Sequence, residues 1–475
     1  MRLILALFLM LALPFQASAA PAENTTMQEK ETQVATDSRK SLSVTVYNDG
    51  LGLVKDVRTI DFTKGLNRIA FQEVSAQIQP ETALFSAKDV GILEQNFNFD
   101  LMSRQSLLNK FLGREIEVIS VNPGNGQETR EKALVLSFAA GVVLKIGDRI
   151  ETDFNGRLIF PNVPSDLREK PTLVIDASST TAGKKDAELT YLTNGLTWRA
   201  DYVAELNNEE NAIALNGWVT MTNMSGVAYE NASIQFVAGT VNRVRQRQPR
   251  NMMMAKSFDM AEAAGAPMMQ QEALMDFHLY SLGRPTSILS NQTKQLALLS
   301  APNIKAEKVY RIDNLVSGYQ GDGQFEPRSV QVSLRFENDQ KSGAGIPLPA
   351  GTIRVFKADS QKRTFFVGED RINHTPKNEK VRLTLGEAFD VTVSGKQTDY
   401  TRLTDRVHKA SYELEFKNAK DTAVTVSYFQ TFPPQFTILS SNITQVPQTS
   451  SQVLWDVPIA AGGKTVLKYT VQVVR

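Results

Sequence analysis

The side chains best suited to chemistry in this 475-residue chain are sulfur ligands. Met252, Met253, Met254, Met260, Met268, Met269 and Met275 account for seven of its thirteen methionines. Thioethers are soft donors that favour Cu(I) over harder ions. The chain has no cysteine, which excludes thiolate metal sites, cysteine nucleophiles and disulfides. His278, His374 and His408 are its only histidines, and none stands within a helical turn of another. With no His or Cys to reinforce it, the methionine run reads first as a linker, with Cu(I) binding as the sharper alternative. No cofactor is expected.

Other candidate motifs reduce to structure. Arg243, Arg245, Arg247 and Arg250 make a basic spot that reads as a solvated charge run. Gly462-Gly463-Lys464-Thr465 resembles half of a phosphate loop, but Pro458 stands where the first glycine belongs. Its flanks read as strands, whereas a phosphate loop needs a helix N-terminus, so a hairpin turn is expected. Neither Gly-x-Ser-x-Gly nor His-Glu-x-x-His occurs, so no catalytic residue is assigned. A pair of carboxylates for glycan hydrolysis needs no motif and stays open as an alternative.

The elements around these residues are strands. Leu196, Trp198, Ala200, Tyr202, Ala204 and Leu206 alternate with Thr197, Arg199, Asp201 and Glu205. That is the period of a strand with one face on the core, which makes Trp198-Arg199-Ala200-Asp201-Tyr202 a packing motif rather than a sugar site. Trp218 and Trp455 read likewise as core aromatics. Asn194-Gly195 before this strand predicts a hairpin from Glu188–Thr193. One helix is expected over 103–112, capped by Ser103 and stopped by Gly113.

The fold expected is therefore mainly β: sandwich or small-barrel modules in series. An N-terminal β region spans 41–168. A central β-sandwich region spans 169–400, interrupted at 243–276 by a Met-rich insertion expected to be disordered. An immunoglobulin-like sandwich spans 401–475, where Leu467, Tyr469, Val471 and Val473 share one face.

The first nineteen residues supply an address. Arg2, the apolar run Leu3–Leu13 and Ala17-Ser18-Ala19 have the form of a signal peptide cleaved after Ala19, which places the mature chain in the periplasm or outside the cell. The polar stretch 20–40 reads as a flexible leader. The 52 basic and 51 acidic residues balance, which argues against nucleic acid as a partner. The apolar run is too short to span a bilayer, so no transmembrane anchor is expected after cleavage.

Several blocks resemble a family. Val44-Thr45-Val46-Tyr47-Asn48, Leu53-Val54, Val57-Arg58, Leu189–Leu192, Gly195–Tyr202, Leu215–Val219, Val237–Gly239, Gly368–Ile372 and His374-Thr375-Pro376 resemble, in order, the bacterial exported proteins of domain-of-unknown-function family 4139, the mucoidy-inhibitor-A-like proteins. The heptad coiled coil of some relatives is not seen. The resemblance implies an exported β-rich protein and brings no catalytic residues. The expected function is a non-enzymatic binding or scaffold protein of the cell envelope, with an envelope protein or surface polymer as partner. The alternatives are an envelope hydrolase using Asp, Glu or Ser, and Cu(I) binding by the methionines.

Overall fold

The computed structural model describes residues 31–98, 100–139, 141–152, 154–164, 166–239, 241–242, 269–274, 277–316 and 323–474. Residues 1–30, where a signal peptide and most of the leader are expected, and most of the Met-rich stretch lie outside them. Among the described residues the architecture is mainly β, as the alternating pattern predicts, and its strands form four sheets. Ser103 caps the helix Arg104–Lys110 through a reciprocal pair with Ser106.

Two corrections come at the edges of the expected irregular segments. The leader ends early: Thr32–Val34 is a parallel strand beside Gly65–Gln72. Val34 is buried, and its carbonyl accepts from the fully buried Arg58 at 2.8 Å. The insertion also ends early, because Gln270–Leu274 pairs with Phe277–Ser281.

The Asn194-Gly195 turn is not a hairpin. Gly183–Asn194 belongs to an eight-stranded sheet, and Leu196–Leu206 to a thirteen-stranded one. Gly195, at φ +82°, carries the chain from one layer to the other. Both strands bury one face in the shared core, so a strong alternation is satisfied without pairing. Leu196, Trp198, Ala200, Tyr202, Ala204 and Leu206 are all buried, as expected. Gly462-Gly463 is likewise a turn between layers, because Gln452–Ile459 and Lys464–Val474 pair with different strands. Trp455 is fully buried and stacks on Tyr469 at 4.8 Å, whereas Trp218 is only half-buried.

The last sandwich does not begin at 401. Lys380–Arg402 is one strand that pairs first with Gln324–Glu337 and then with Val407–Asn418. Gln292–Asp313 also runs through both regions. Tyr310, Val330, Val391 and Val393 join the C-terminal core around Trp455 and Tyr469. A small third core lies under the helix and an open five-stranded sheet, between Ile116, Val135 and Leu144. This unit is the loop of a hairpin: Val90–Asn98 pairs with Thr172–Ser179, and Leu101 bridges to Arg168 where the chain enters and leaves.

Candidate functional site

Part of the largest sheet curls on itself. In order, the strands are Thr364–Ile372, Gly351–Ala358, Leu196–Leu206, Ala212–Asn223, Gln292–Asp313, Gln324–Glu337 and Lys380–Arg402. No ladder joins the first to the last. Their seam is held by the Thr384 amide donating to Asp370 Oδ2 at 2.7 Å. At Gly368 (φ +147°) a Cβ would lie 2.4 Å from the Leu385 carbonyl oxygen, so only glycine permits this approach.

One end of the curl is plugged. Leu348, 1% exposed, sits on Pro347-Leu348-Pro349. Tyr280 donates to the Pro347 carbonyl at 3.1 Å and Tyr202 to that of Pro349 at 2.8 Å. The amides and carbonyls of Leu348 and Thr375 bond reciprocally at 2.9 Å. Asn338, fully buried, donates to the Ile346 and Pro376 carbonyls at 2.7 and 2.9 Å.

The other end is open. A cavity of about 210 Å3 lies there, lined by Leu206, Val332, Leu334, Val367 and Leu385 and rimmed by Glu210, Lys308, Lys357 and Glu387. It adjoins an open groove of about 590 Å3 that reaches Asn208, Asp359 and Phe365. The end of a curled sheet is a place where a ligand can sit, because strands from several sides converge on one space.

The rim is ordered by one carboxylate. Lys308 and Lys357 donate to the two oxygens of Glu210, at 2.7 and 2.5 Å. Glu210 sits at φ +56°, in a turn stapled by Asn207, whose side chain accepts from the Asn211 and Ala212 amides. A non-glycine residue in the left-handed region costs about 1 kcal/mol, and here the two ion pairs offset it. Burial alone would raise the Glu210 carboxyl, but hydrogen bonds and charge from both lysines outweigh it and hold the pKa below its ordinary value. Glu210 is thus a fixed anion rather than a proton donor. Ser333, which lines the cavity, keeps its hydroxyl buried without a hydrogen-bond partner.

Beside the mouth runs an apolar edge. From Thr364 to Val367 the strand has a ladder on one side only, to Gly351–Ala358. Phe365 and Phe366 are 51% and 56% exposed. Phe366 packs edge-on against Phe356 at 5.7 Å, and Phe389, near the mouth residue Glu387, is 93% exposed. Exposed aromatics on an open strand edge are a surface that natural sheets usually protect.

Residues singled out by sequence fall elsewhere. Met252, Met253, Met254, Met260, Met268 and Met275 lie outside the described residues, as do Arg243, Arg245, Arg247 and Arg250. Met269 is buried in the main hydrophobic core. His374 accepts from the Ala350 amide at 3.1 Å. Partial burial, and then the charge of His278, lower its pKa, so the fold brings into electrostatic range two histidines distant in sequence. His408 is buried, with Nδ1 2.8 Å from the Tyr400 hydroxyl.

Glu210, Lys308 and Lys357 carried no signal in the sequence. They are joined only by the curl of the sheet, across separations of 98 and 147 residues. The one local clue is the polar turn Asn207-Asn208-Glu209-Glu210-Asn211. No protein-family profile matches this chain, and no curated protein sequence matches it. Among the described residues no helix is long and apolar enough to cross a membrane.

Proposed function

We propose that this chain is an exported binding protein of the cell envelope, and that it holds a protein partner at the open end of the curled sheet. The exported address rests on the Met1–Ala19 segment, and the resemblance to family 4139 agrees with it. The observation that carries the reading is the exposed edge Thr364–Val367 beside a cavity with an apolar floor. An edge with unpaired main-chain groups recognises an extended chain by strand addition, and the cavity then selects a side chain.

The hydrolase alternative needs a carboxyl poised as an acid, with its pKa raised. Of the two carboxyls at the mouth, Glu210 and Glu387, Glu210 moves the other way. Site-specific photo-crosslinking in intact cells tests the binding reading. A photoreactive residue at Phe366 should trap a discrete adduct, while one at Ile150, 65% exposed on the small helix-bearing unit, should not. No adduct at 366, or equal labelling at both positions, would contradict the reading.

A further inference from the structure

The helix-bearing unit hangs on a narrow joint. Among the described residues its five strands ladder only with one another, and its core is separate from the other two. The joint is the bridge between Leu101 and Arg168. There the Met102 amide donates to the Arg168 carbonyl at 2.8 Å, and the Arg168 amide to the Asp100 carbonyl at 3.0 Å. Lys110 ties the helix to both sides of the joint, through Asp100 at 3.1 Å and Asp166 at 2.5 Å. These bonds close the joint without reaching the main body.

The Arg168 side chain does reach it. Its Nη1 and Nη2 donate to Oε1 and Oε2 of Glu31 at 2.6 and 2.9 Å. A guanidinium fork on a carboxylate fixes orientation as well as distance. The two side chains are only 15% and 19% exposed, so salt screens the pair weakly. Hydrogen bonding from Arg168 outweighs burial and holds the Glu31 carboxyl below its ordinary value, which keeps the pair charged at neutral pH. Glu31 is itself anchored. It opens the strap Thr32–Val34, which ladders along Ile69, Ala70 and Phe71. At the far end Arg58, fully buried over the Phe71 ring, donates to the Val34 carbonyl at 2.8 Å. The strap therefore has one end pinned inside the main body and the other on the joint.

We infer that residues 31–34 are a clamp that sets the angle of the helix-bearing unit against the main body. Docked, the strap holds Arg168, and with it the joint, in one position. Lifted, it frees the joint, and the unit pivots about 100–102 and 166–168. Three laddered residues with one buried valine are a small enough unit to open locally while the cores stay folded. Loss of the Glu31 charge alone leaves a half-buried guanidinium without its carboxylate, which drives that side chain toward water.

Pulsed EPR between two spin labels tests this. The chain has no cysteine, so labels go only where cysteines are introduced: Ile150→Cys on the unit and Leu84→Cys on the main body, both well exposed. With Glu31 present the distance distribution should be single and narrow. Glu31→Gln should widen it about twofold, as expected for a locally released joint, and the Met102 amide should lose hydrogen-exchange protection. Arg168→Lys keeps the charge but loses the fork, and should widen it as well. Glu73→Gln breaks the neighbouring pair with Lys170, on the body side of the joint, and should change nothing. A broad distribution with Glu31 present overturns the inference. So does a narrow one in Glu31→Gln, or equal widening by Glu73→Gln. If Glu31→Gln does not fold, the same outcomes in Arg168→Lys decide.

Discussion

Single residues hold the plug and the mouth in place, and they act through buried polarity more than through apolar bulk. Asn338 closes the plug by bonding two carbonyls and accepting the Gly345 amide at 3.2 Å. Asn223 and Asn418, also buried at strand ends, do the same for their own loops. Removing such a side chain strands several buried groups at about 1–3 kcal/mol each. Asn338→Ala should therefore cost about 2–3 kcal/mol in urea unfolding, while Asn122→Ala, on an exposed turn, should cost little. Glu210 gives a pH prediction. Its pKa is lowered on folding, so its contribution is full above the ordinary carboxyl value and is lost as pH falls through the folded one. Acidifying below about pH 4.5 should lower the unfolding midpoint of the natural protein more than that of Glu210→Gln. None of this was legible in the sequence, where a buried asparagine looks like any loop asparagine. The Trp198 strand was legible, because a face buried along its whole length imposes a strict period of two.

Elements were read more accurately than their partners. The helix and most strands lie where alternation and turns place them, since those signals are local. Pairing is not local: Asn194-Gly195 serves a hairpin and a crossing between layers equally well, and nothing in those two residues distinguishes them. The seam at Gly368 is a clear case of close approach. Gly368→Val should place its side chain against the Leu385 carbonyl and strain a left-handed backbone, costing about 1–3 kcal/mol. Loss of hydrogen-exchange protection at Thr384 would show that the seam has opened. The helix-bearing unit has its own core and enters beside its exit, at Leu101 and Arg168. Replacing 103–166 by a linker of about four residues, an ordinary loop length, should leave the rest unfolding as one cooperative transition. Collapse of the remainder would show that the unit supports the main core.

At the scale of the molecule, two long strands make one object of what the sequence divided into modules. Gln292–Asp313 and Lys380–Arg402 each serve the curled sheet and the final sandwich. The mouth lies where those strands pass between cores, with Lys308 on one and Leu385 and Glu387 on the other. That position ties the exposed edge Thr364–Val367 to strands shared by both cores, and an edge anchored in this way lowers the ordering cost of docking a chain. Hydrogen exchange at Thr364–Val367 measures this claim most directly. In the isolated protein the outward amides of this edge should exchange fast while those of Gly351–Ala358, laddered on both sides, stay protected. With the crosslinked partner bound, the edge should become protected. An edge already protected in the isolated protein, or equally exposed with the partner bound, would contradict the account.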